Sequence, residues 1–379
     1  MSNPSLTIIQ GGKLLCLESG ALTEHLSPFA QEKVAQEARD TSRHAWKTGD
    51  EAGNQHLFSR SQLWGGKGEA QPVRPPRFAW AQRQSSILWY VLNLSRTRGL
   101  FRFDVKAGQE SRLFHHDGFD PHGLCLASDG GFFTTRTNAD GAMHIVRLDE
   151  TGSAKQVVTD GDCLDEFPCL NGNDLYYQTS GLGRNDQGFV CAQAATAVYR
   201  IDLTSGRTEV VAENPDFDYL LPRVDGAGAC YYVRRPHLKP GETSFFTTLL
   251  DVVLFPYRVV VAILGFLDVF SRLFGQSPLK TAGGGSGTEM DVRHKLVLGR
   301  LVDLQTLAKS EGKPVAAPRD WVLLKRNPDG REEQLATNVS WFDLGPSGEV
   351  YHSNGFEIFG PDGRCHKADE IIESFACNR

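Results

Sequence analysis

A repeated pattern of short alternating segments constrains the fold of this chain more than any other feature. Three segments, which start at Leu100, His144 and Val198, share the order apolar-Arg-apolar-Asp, then turn residues with a glycine, then a second alternating run. Alternation with a period of two is typical of half-buried strands, and a glycine-bearing connection between two such runs indicates a tight turn. Each segment therefore predicts a β-hairpin.

A second shared pattern recurs along the chain, at segments that start at Phe119, Asp165, Asp218 and Ser340. Each copy has a short apolar run, a turn rich in Gly, Asn or Asp, and then a run rich in aromatic residues. Joined with the hairpin that follows, such a segment makes a four-stranded unit of about 40–50 residues, which is the size of a propeller blade. The chain is therefore predicted to be all-β, a β-propeller of about six four-stranded blades with helical insertions.

The second pattern resembles the P-x-x-S-x-D-G-x-x-[IL]-x-[FY] repeat of TolB-like and dipeptidyl-peptidase-type (WD40-like) β-propellers. The degenerate copies that carry the resemblance include Pro121/Asp129/Gly130 and Pro168/Asn171/Gly172. The resemblance covers residues 78–235 and 320–365. The resemblance implies a propeller fold and no particular activity, because propellers serve many unrelated functions.

The repeats also predict how the chain is divided. The predicted blades are 78–115, 119–160, 165–213, 218–337 (interrupted) and 340–368, and strands from both termini complete a sixth. Joining the termini in one sheet removes the open sheet edges. We therefore expect a single propeller domain over residues 1–379, with insertions at 27–76 and 237–319.

The first insertion, residues 27–76, is predicted to begin with a surface helix and to continue as a loop. Ser27 is a suitable N-cap, and Pro28 suits the first helical position. Ala30, Val34 and Ala38 give the helix one weakly apolar face. A structural role and a partner contact both remain open for it.

The second insertion contains the most apolar stretch of the chain, Ser244 to Gly275, with only four charged residues. A spanning helix needs about 20 apolar residues with few charges, and a central arginine such as Arg258 costs about 2.5–3.5 kcal/mol on insertion scales. Conventional spanning is therefore disfavoured. At 100° per residue the four charges share one side of a helix, which leaves a wide apolar face.

Such a helix could lie in a membrane interface, in a groove of a partner or of a second copy of the chain, or against the propeller as local core. A Gly-rich linker at 281–287 favours a segment that leaves the main body. We expect attachment to a membrane surface or a membrane-protein complex, with self-association through 244–275 as an alternative. The residues predicted to make this contact are Phe245, Phe246, Leu249, Leu250, Val253, Leu254, Phe255, Tyr257, Val260, Ile263, Leu264, Phe266, Leu267, Phe270, Leu273 and Phe274.

Composition limits the kinds of partner and the cellular compartment that can be expected. The net charge is −6, without the basic excess that gripping a phosphate backbone requires, so no nucleic-acid partner is expected. The eight cysteines form no C-x-x-C and are expected to be buried, reduced thiols. The N-terminus lacks the charged and apolar regions of a secretion signal. A cytoplasmic, peripherally or monotopically membrane-associated protein is therefore expected.

Two runs of residues are candidates for a metal-binding site. His115, His116, Asp117 and His122 combine imidazole and carboxylate groups that could hold zinc or iron, although His and Asp are also ordinary turn residues. Asp160, Asp162, Asp165 and Glu166 could bind a cation at the mouth of the ring, or form a solvated acidic loop.

The sequence contains no nucleophile elbow, Walker A loop, dinucleotide-binding fingerprint or H-E-x-x-H motif. The predicted function is therefore a non-enzymatic propeller scaffold without a cofactor, apart from a metal ion if the His/Asp run binds one. It docks through the 244–275 helix and offers its propeller faces to protein partners. The alternative is a propeller enzyme of the metal-dependent hydrolase or lactonase kind, with the acidic and His loops at the channel mouth.

Overall fold

The computed structural model describes residues 5–47, 76–94, 97–116, 119, 121–238 and 294–378. The chain divides into two compact units. The first consists of Met1–Ala30, Pro75–His237 and Val292–Arg379, and the second of Gln31–Arg74 and Leu238–Asp291. Everything below concerns the first unit, except the part of the first helix beyond Ala30. The single domain over residues 1–379 and the bounds of its two insertions stay predictions.

Strands from both ends of the chain share one four-stranded sheet, in the order β27-β1-β2-β3. Leu6 pairs antiparallel with Cys377 on one side and with Leu17 on the other. The strands are β1 (Leu6–Gln10), β2 (Lys13–Glu18), β3 (Ala21–His25) and β27 (Ile372–Cys377). The N-terminal hairpin and the C-terminal strand thus combine as the sequence predicts.

Three further sheets are four-stranded and antiparallel. The first contains β4 (Arg77–Gln84), β5 (Ile87–Leu94), β6 (Thr97–Asp104) and β7 (Gln109–His116). The second contains β17 (Phe217–Val224), β18 (Cys230–Pro236), β21 (Val322–Arg326) and β22 (Glu332–Ala336). The third contains β23 (Trp341–Leu344), β24 (Val350–Ser353), β25 (Glu357–Gly360) and β26 (Gly363–Lys367).

A nine-stranded sheet contains two more antiparallel four-stranded groups. One group is β8 (Leu124–Leu126), β9 (Phe132–Thr137), β10 (Met143–Leu148) and β11 (Ala154–Val157). The other is β12 (Cys163–Asn171), β13 (Asp174–Arg184), β15 (Ala197–Asp202) and β16 (Thr208–Ala212), with β14 (Val190–Gln193) added to β13. The groups are joined by one parallel pairing, Met143 with Leu164.

The first strand of each group faces a common axis. One cavity is lined by residues of β4, β8, β12, β17, β23 and β27, so each group contributes one strand to it. This radial arrangement of antiparallel sheets confirms the predicted all-β propeller fold. The described strands provide six four-stranded groups, while the blade count of the complete ring stays the prediction of about six.

The aspartates of the first repeat pattern shape the hairpin turns. Asp104, Asp149 and Asp202 each accept backbone N–H hydrogen bonds from residues two to four positions later, at 2.8–3.2 Å. A hydrogen bond from the Thr151 hydroxyl, with others from nearby backbone, lowers the pKa of Asp149 to about 2. The recurring Asp is therefore a turn residue, as its position before a glycine indicates.

Two inner strands carry the same irregularity. Phe167 in β12 and Leu221 in β17 have φ angles of 52° and 57°, and each precedes a proline. The register with the neighbouring strand shifts at each of these positions. Positive φ is rare for bulky residues, and such a shift is a β-bulge, which bends and re-aims a strand.

Two helices are described. α1 (Pro28–Lys47) begins at Ser27, whose hydroxyl accepts the backbone N–H of Ala30 at 3.2 Å, as predicted for an N-cap. α2 (Leu304–Glu311) is capped by Asp303 and follows a hairpin of β19 (His294–Val297) and β20 (Arg300–Asp303). Within the described ranges, neither helix is both long and apolar enough to cross a bilayer.

The cysteines are all free thiols. Cys169, Cys230 and Cys377 are buried, as the sequence predicts for the whole set. Cys191 in β14 is exposed instead. Its strand is an addition to the outer half of β13 and has no neighbour on its far side among the described strands.

Replacing Phe375 by alanine is expected to destabilise the sheet that contains both termini. The Phe375 side chain is 3% exposed and packs with Leu6 and Ile8 of β1. Removing a buried phenyl group costs about 3–5 kcal/mol, which urea denaturation would measure. Leu22→Ala in β3 of the same sheet is the control, because Leu22 is 45% exposed and surface changes stay within about 0.5 kcal/mol. Equal effects of the two substitutions would contradict this role of Phe375.

His352 in β24 is expected to make stability depend on pH. Burial lowers the pKa of His352 below its ordinary value of 6.5, and its ring stacks on Phe359. The unfolded chain therefore binds a proton before the folded chain does, so stability falls as the pH drops through 6.5 and stops falling below the folded-state pKa. Urea denaturation between about pH 7 and pH 5 should show a smaller loss for His352→Gln. An equal loss of stability in His352→Gln and in the wild type would exclude His352 as a source of the pH dependence.

Candidate functional site

The apolar residues predicted to contact a membrane or a partner, from Phe245 to Phe274, lie outside the described residues. That prediction therefore stays a prediction. The structure does describe the two places where the predicted insertion joins its blade. The chain leaves β18 at Pro236 and re-enters the described structure in β19 at His294.

Hydrogen bonds connect the end of β18 with the β19–β20 hairpin. Arg300 of β20 donates to the backbone oxygen of Pro236 at 2.8 Å, and Arg235 donates to that of Leu298 at 2.8 Å. Val297 and Val302 of the hairpin are buried in the same apolar core as Trp321. The exit and the return of the chain are therefore fixed to one region of the blade.

A buried carboxylate lies at the centre of this region. Asp218 contacts Nε of Arg235 at 2.9 Å, Nδ1 of His237 at 2.7 Å and a terminal nitrogen of Arg300 at 3.4 Å. The backbone N–H of Thr196 donates to it as well, at 3.2 Å. A buried charge of this kind is stable only when it is paired and hydrogen-bonded.

Trp321 covers both arginines from one side. The guanidinium carbons of Arg235 and Arg300 lie 4.9 Å and 5.7 Å from the centre of its ring. Burial lowers the pKa of Arg235, and burial together with the charge of Arg235 lowers the pKa of Arg300, while Asp218 opposes both shifts. We call Asp218, Arg235, His237, Arg300 and Trp321 the root cluster, since they surround the base of the predicted insertion.

The structure describes part of the predicted His/Asp metal run. His115 is exposed in β7, where it pairs with Gly99, and His116 ends that strand. Asp117 lies outside the described residues. His122 has its Nδ1 atom 2.7 Å from Oε1 of Glu166. A metal site in this run stays a prediction.

The acidic run is likewise divided among different neighbours. Asp162 accepts from Nε of Arg184 at 2.7 and 2.8 Å. Glu166 accepts from Gln178 at 3.0 Å in addition to its contact with His122. Asp160 is fully exposed, whereas Asp165 is buried. Asp162 and Glu166 therefore have different partners, whereas Asp160 and Asp165 both approach His144.

Asp165 belongs to a compact group of three different side chains. Its Oδ2 atom lies 3.3 Å from Sγ of Cys163 and 3.6 Å from Nδ1 of His144. Burial, together with the Asp165 carboxylate, raises the pKa of the Cys163 thiol to about 12. We call His144, Cys163 and Asp165 the junction cluster. Of these three residues, sequence reasoning considered only Asp165, as part of the acidic run, because no local pattern connects it with His144 in another repeat.

The central cavity contains a buried ion pair. Nε of Arg223 lies 3.1 Å from Asp343, whose other oxygen accepts the backbone N–H of Cys377 at 2.9 Å. Burial acts most strongly and would lower the pKa of Arg223, but the Asp343 carboxylate together with Cys169 and Cys125 raises the pKa overall. The cavity volume is about 60 Å³, whereas small-molecule sites usually measure about 300–1,000 Å³. This cavity can hold water but not a substrate of ordinary size.

The chain matches no family model and no curated protein. Solved structures with the same architecture exist. TolB from Acinetobacter baumannii superposes with a TM-score of 0.50 at 10% identity, over 100% of this chain and 67% of that chain. A chain of a nidogen/laminin complex superposes with a TM-score of 0.50 at 9% identity, over 98% and 97% of the two chains.

Identities this low show the fold alone. Propellers serve many unrelated functions, so the fold by itself assigns no role to this chain. The structural comparison therefore identifies the chain as a β-propeller of the TolB-like type.

Proposed function

We propose that this protein is a non-enzymatic scaffold that docks to the cytoplasmic surface of a membrane, or to a membrane-protein complex, through residues 244–275. The observation that carries the proposal is the root cluster. It fixes both ends of the insertion that contains this apolar segment to one rigid blade. The propeller faces then remain available to protein partners.

The root cluster is suited to anchor an attached segment. A segment that leaves a blade and returns to it is held by the propeller only at its two ends. Here Arg235 and Arg300 bridge those ends, and Asp218 holds both arginines. Charged hydrogen bonds are stronger and more directional than neutral ones, so they hold the two ends in a defined geometry.

The sequence of the segment suits an interface better than a span. Arg258 and Asp268 fall on the same narrow side of a helix, and the remaining side is Val, Leu, Ile and Phe. A helix of this kind lies with its apolar face in the boundary between headgroups and acyl chains. The same face would also fit an apolar groove of a membrane protein.

The ring itself supports binding through surfaces rather than through an enclosed pocket. Its central cavity is small and contains the Arg223–Asp343 pair. A propeller of the same architecture occurs in a nidogen/laminin complex, which shows that this fold can serve in a protein assembly. We therefore place the partners of this protein on its faces and on the inserted segment.

Ile263→Asp is expected to release the protein from its membrane or partner. Ile263 lies opposite the charged stripe at helical spacing, so the substitution places a carboxylate in the middle of the apolar face. Val261→Asp is the matched control, because the same spacing places Val261 between Asp268 and Arg272 on the charged stripe. Cell fractionation and co-purification, with and without detergent, would measure the change.

Release by Ile263→Asp but not by Val261→Asp would support the apolar face as the docking surface. The outcome against the proposal is a wild-type protein that is found only in the soluble fraction and without a partner. Retention of both variants would also argue against it. Loss of the partner on adding detergent to the wild type would indicate lipid rather than a membrane protein as the contact.

Asp218→Asn is expected to destabilise the base of the insertion. The change removes the carboxylate that contacts the buried Arg235 and the partly buried Arg300, and breaking a buried pair in this way costs about 3–5 kcal/mol. Urea denaturation would measure the loss, and hydrogen exchange in β19 and β20 should rise more than exchange in β23 to β26.

Glu209→Gln is the control for Asp218→Asn. Glu209 pairs with Arg200 and Arg207 at the surface, and such pairs contribute about 1 kcal/mol or less. A similar effect of the two substitutions, or hydrogen exchange that rises uniformly over the propeller in Asp218→Asn, would exclude a local role of the root cluster.

A further inference from the structure

Three different metal-binding side chains meet where two blades merge into one sheet. Strand β10 of one group touches strand β12 of the next through the parallel pair Met143 and Leu164. His144 follows Met143, while Cys163 and Asp165 flank Leu164. The single pairing between the blades therefore brings the junction cluster together from two repeats.

Two of the three distances between the donor atoms fall in the range of a tetrahedral zinc site, and the third is slightly longer. Zinc binds sulfur at about 2.3 Å and nitrogen or oxygen at about 2.0–2.2 Å, which places two ligand atoms about 3.3–3.6 Å apart. In the junction cluster, Sγ of Cys163 lies 3.3 Å from the Asp165 oxygen and 4.0 Å from Nδ1 of His144. The Asp165 oxygen lies 3.6 Å from that nitrogen. Small side-chain rotations would bring the three atoms onto one ion.

The charge at the cluster is uncompensated within the described part of the chain. Asp165 is 2% exposed, and among the described residues its one ion-pair partner is His144, which carries charge only when protonated. The two other buried carboxylates with ion pairs, Asp218 and Asp343, each contact arginine. A divalent cation would give Asp165 the counter-charge that arginine gives the others.

The same geometry argues against a nucleophilic cysteine. In a catalytic triad the nucleophile and the carboxylate contact opposite nitrogens of the histidine. Here both the Cys163 sulfur and the Asp165 oxygen approach Nδ1. The nitrogen on the far side, Nε2, lies 3.9 Å from Asp160. Convergence of three donors on one point is the arrangement of ligands around an ion.

We propose that His144, Cys163 and Asp165 form a site for a thiophilic divalent metal ion of the zinc class. His144 would bind through Nδ1, Cys163 as the thiolate and Asp165 through Oδ2, with water in the fourth position. Asp160 would accept the Nε2 proton of His144 and orient the ring, as carboxylates commonly do behind a metal-bound histidine. The ion would link β10 to β12 and so strengthen the contact between two blades.

The test uses the purified full-length protein, stripped of metal and then titrated with Co²⁺ or Zn²⁺. One equivalent of Co²⁺ should give the thiolate-to-cobalt charge-transfer band and the strong visible bands of a tetrahedral site. Zn²⁺ should displace the Co²⁺ and raise the melting temperature, because binding to the folded state alone stabilises it. Cys163→Ser should abolish the charge-transfer band.

Two variants make the assignment specific. Cys191→Ser removes the exposed thiol in β14 and should leave the spectrum and the stoichiometry unchanged. Asp160→Asn should keep the charge-transfer band and weaken metal affinity by about 10–100-fold, as expected for a residue behind the ligands. Circular dichroism of the metal-free variants would show that each retains the fold.

Several results would overturn the proposal. Folded wild-type protein that binds less than one equivalent of Co²⁺ would contradict the site. A charge-transfer band that persists in Cys163→Ser would contradict it as well. A band that disappears in Cys191→Ser would assign the metal to the exposed thiol instead. Should Cys163→Ser not fold, Asp165→Asn serves in its place, and unchanged affinity in that variant would equally reject the site.

Discussion

The antiparallel pairing of β1 with β27 is the constraint on which the rest of the structure depends. A propeller blade exposes two sheet faces and cannot bury both alone, so each blade needs a neighbour on either side. Strands from opposite ends of the chain share one sheet here, and Trp341 of the preceding sheet donates a hydrogen bond to the backbone of Phe375 at 2.8 Å. With the termini held together, the first strand of every group faces the common cavity. The bulges at Phe167 and Leu221 adjust two of these inner strands.

Three buried carboxylates among the described residues are stabilised in two different ways. Asp343 pairs with Arg223 beside the central cavity, and Asp218 pairs with Arg235 and Arg300 at the root cluster. Both therefore exchange water for fixed cationic partners, which is what a buried carboxylate requires. Asp165 faces a thiol and an imidazole instead. Because arginine satisfies the first two carboxylates, the thiol and imidazole around Asp165 are what motivate the metal site that we propose at the junction cluster.

Sequence reasoning predicted the features that depend on neighbours along the chain. Alternation and the turn aspartates predicted the hairpins, because Asp104, Asp149 and Asp202 bond to backbone groups only a few residues away. It could not predict the root or junction clusters. Arg300 meets Asp218 across 82 residues, and that contact depends on how one blade is folded around an insertion. The bulges were missed too, since Phe167 and Leu221 are not residues that favour positive φ. For the sixteen residues of 244–275 that are predicted to contact a membrane or a partner, the sequence remains the basis of the argument.

The position of the second insertion explains how one blade can hold both a regular sheet and an added segment. The insertion separates β18 from β21, yet these strands pair without a break from Cys230 with Arg326 to Arg234 with Val322. Closing a longer loop costs little extra free energy, about 0.6 kcal/mol for each doubling of its length. The sheet therefore tolerates the interruption, provided that the chain leaves and returns at a defined place. The root cluster supplies that place, since the carboxylate of Asp218 in β17 holds Arg235, just before the insertion, and Arg300, in its returning part.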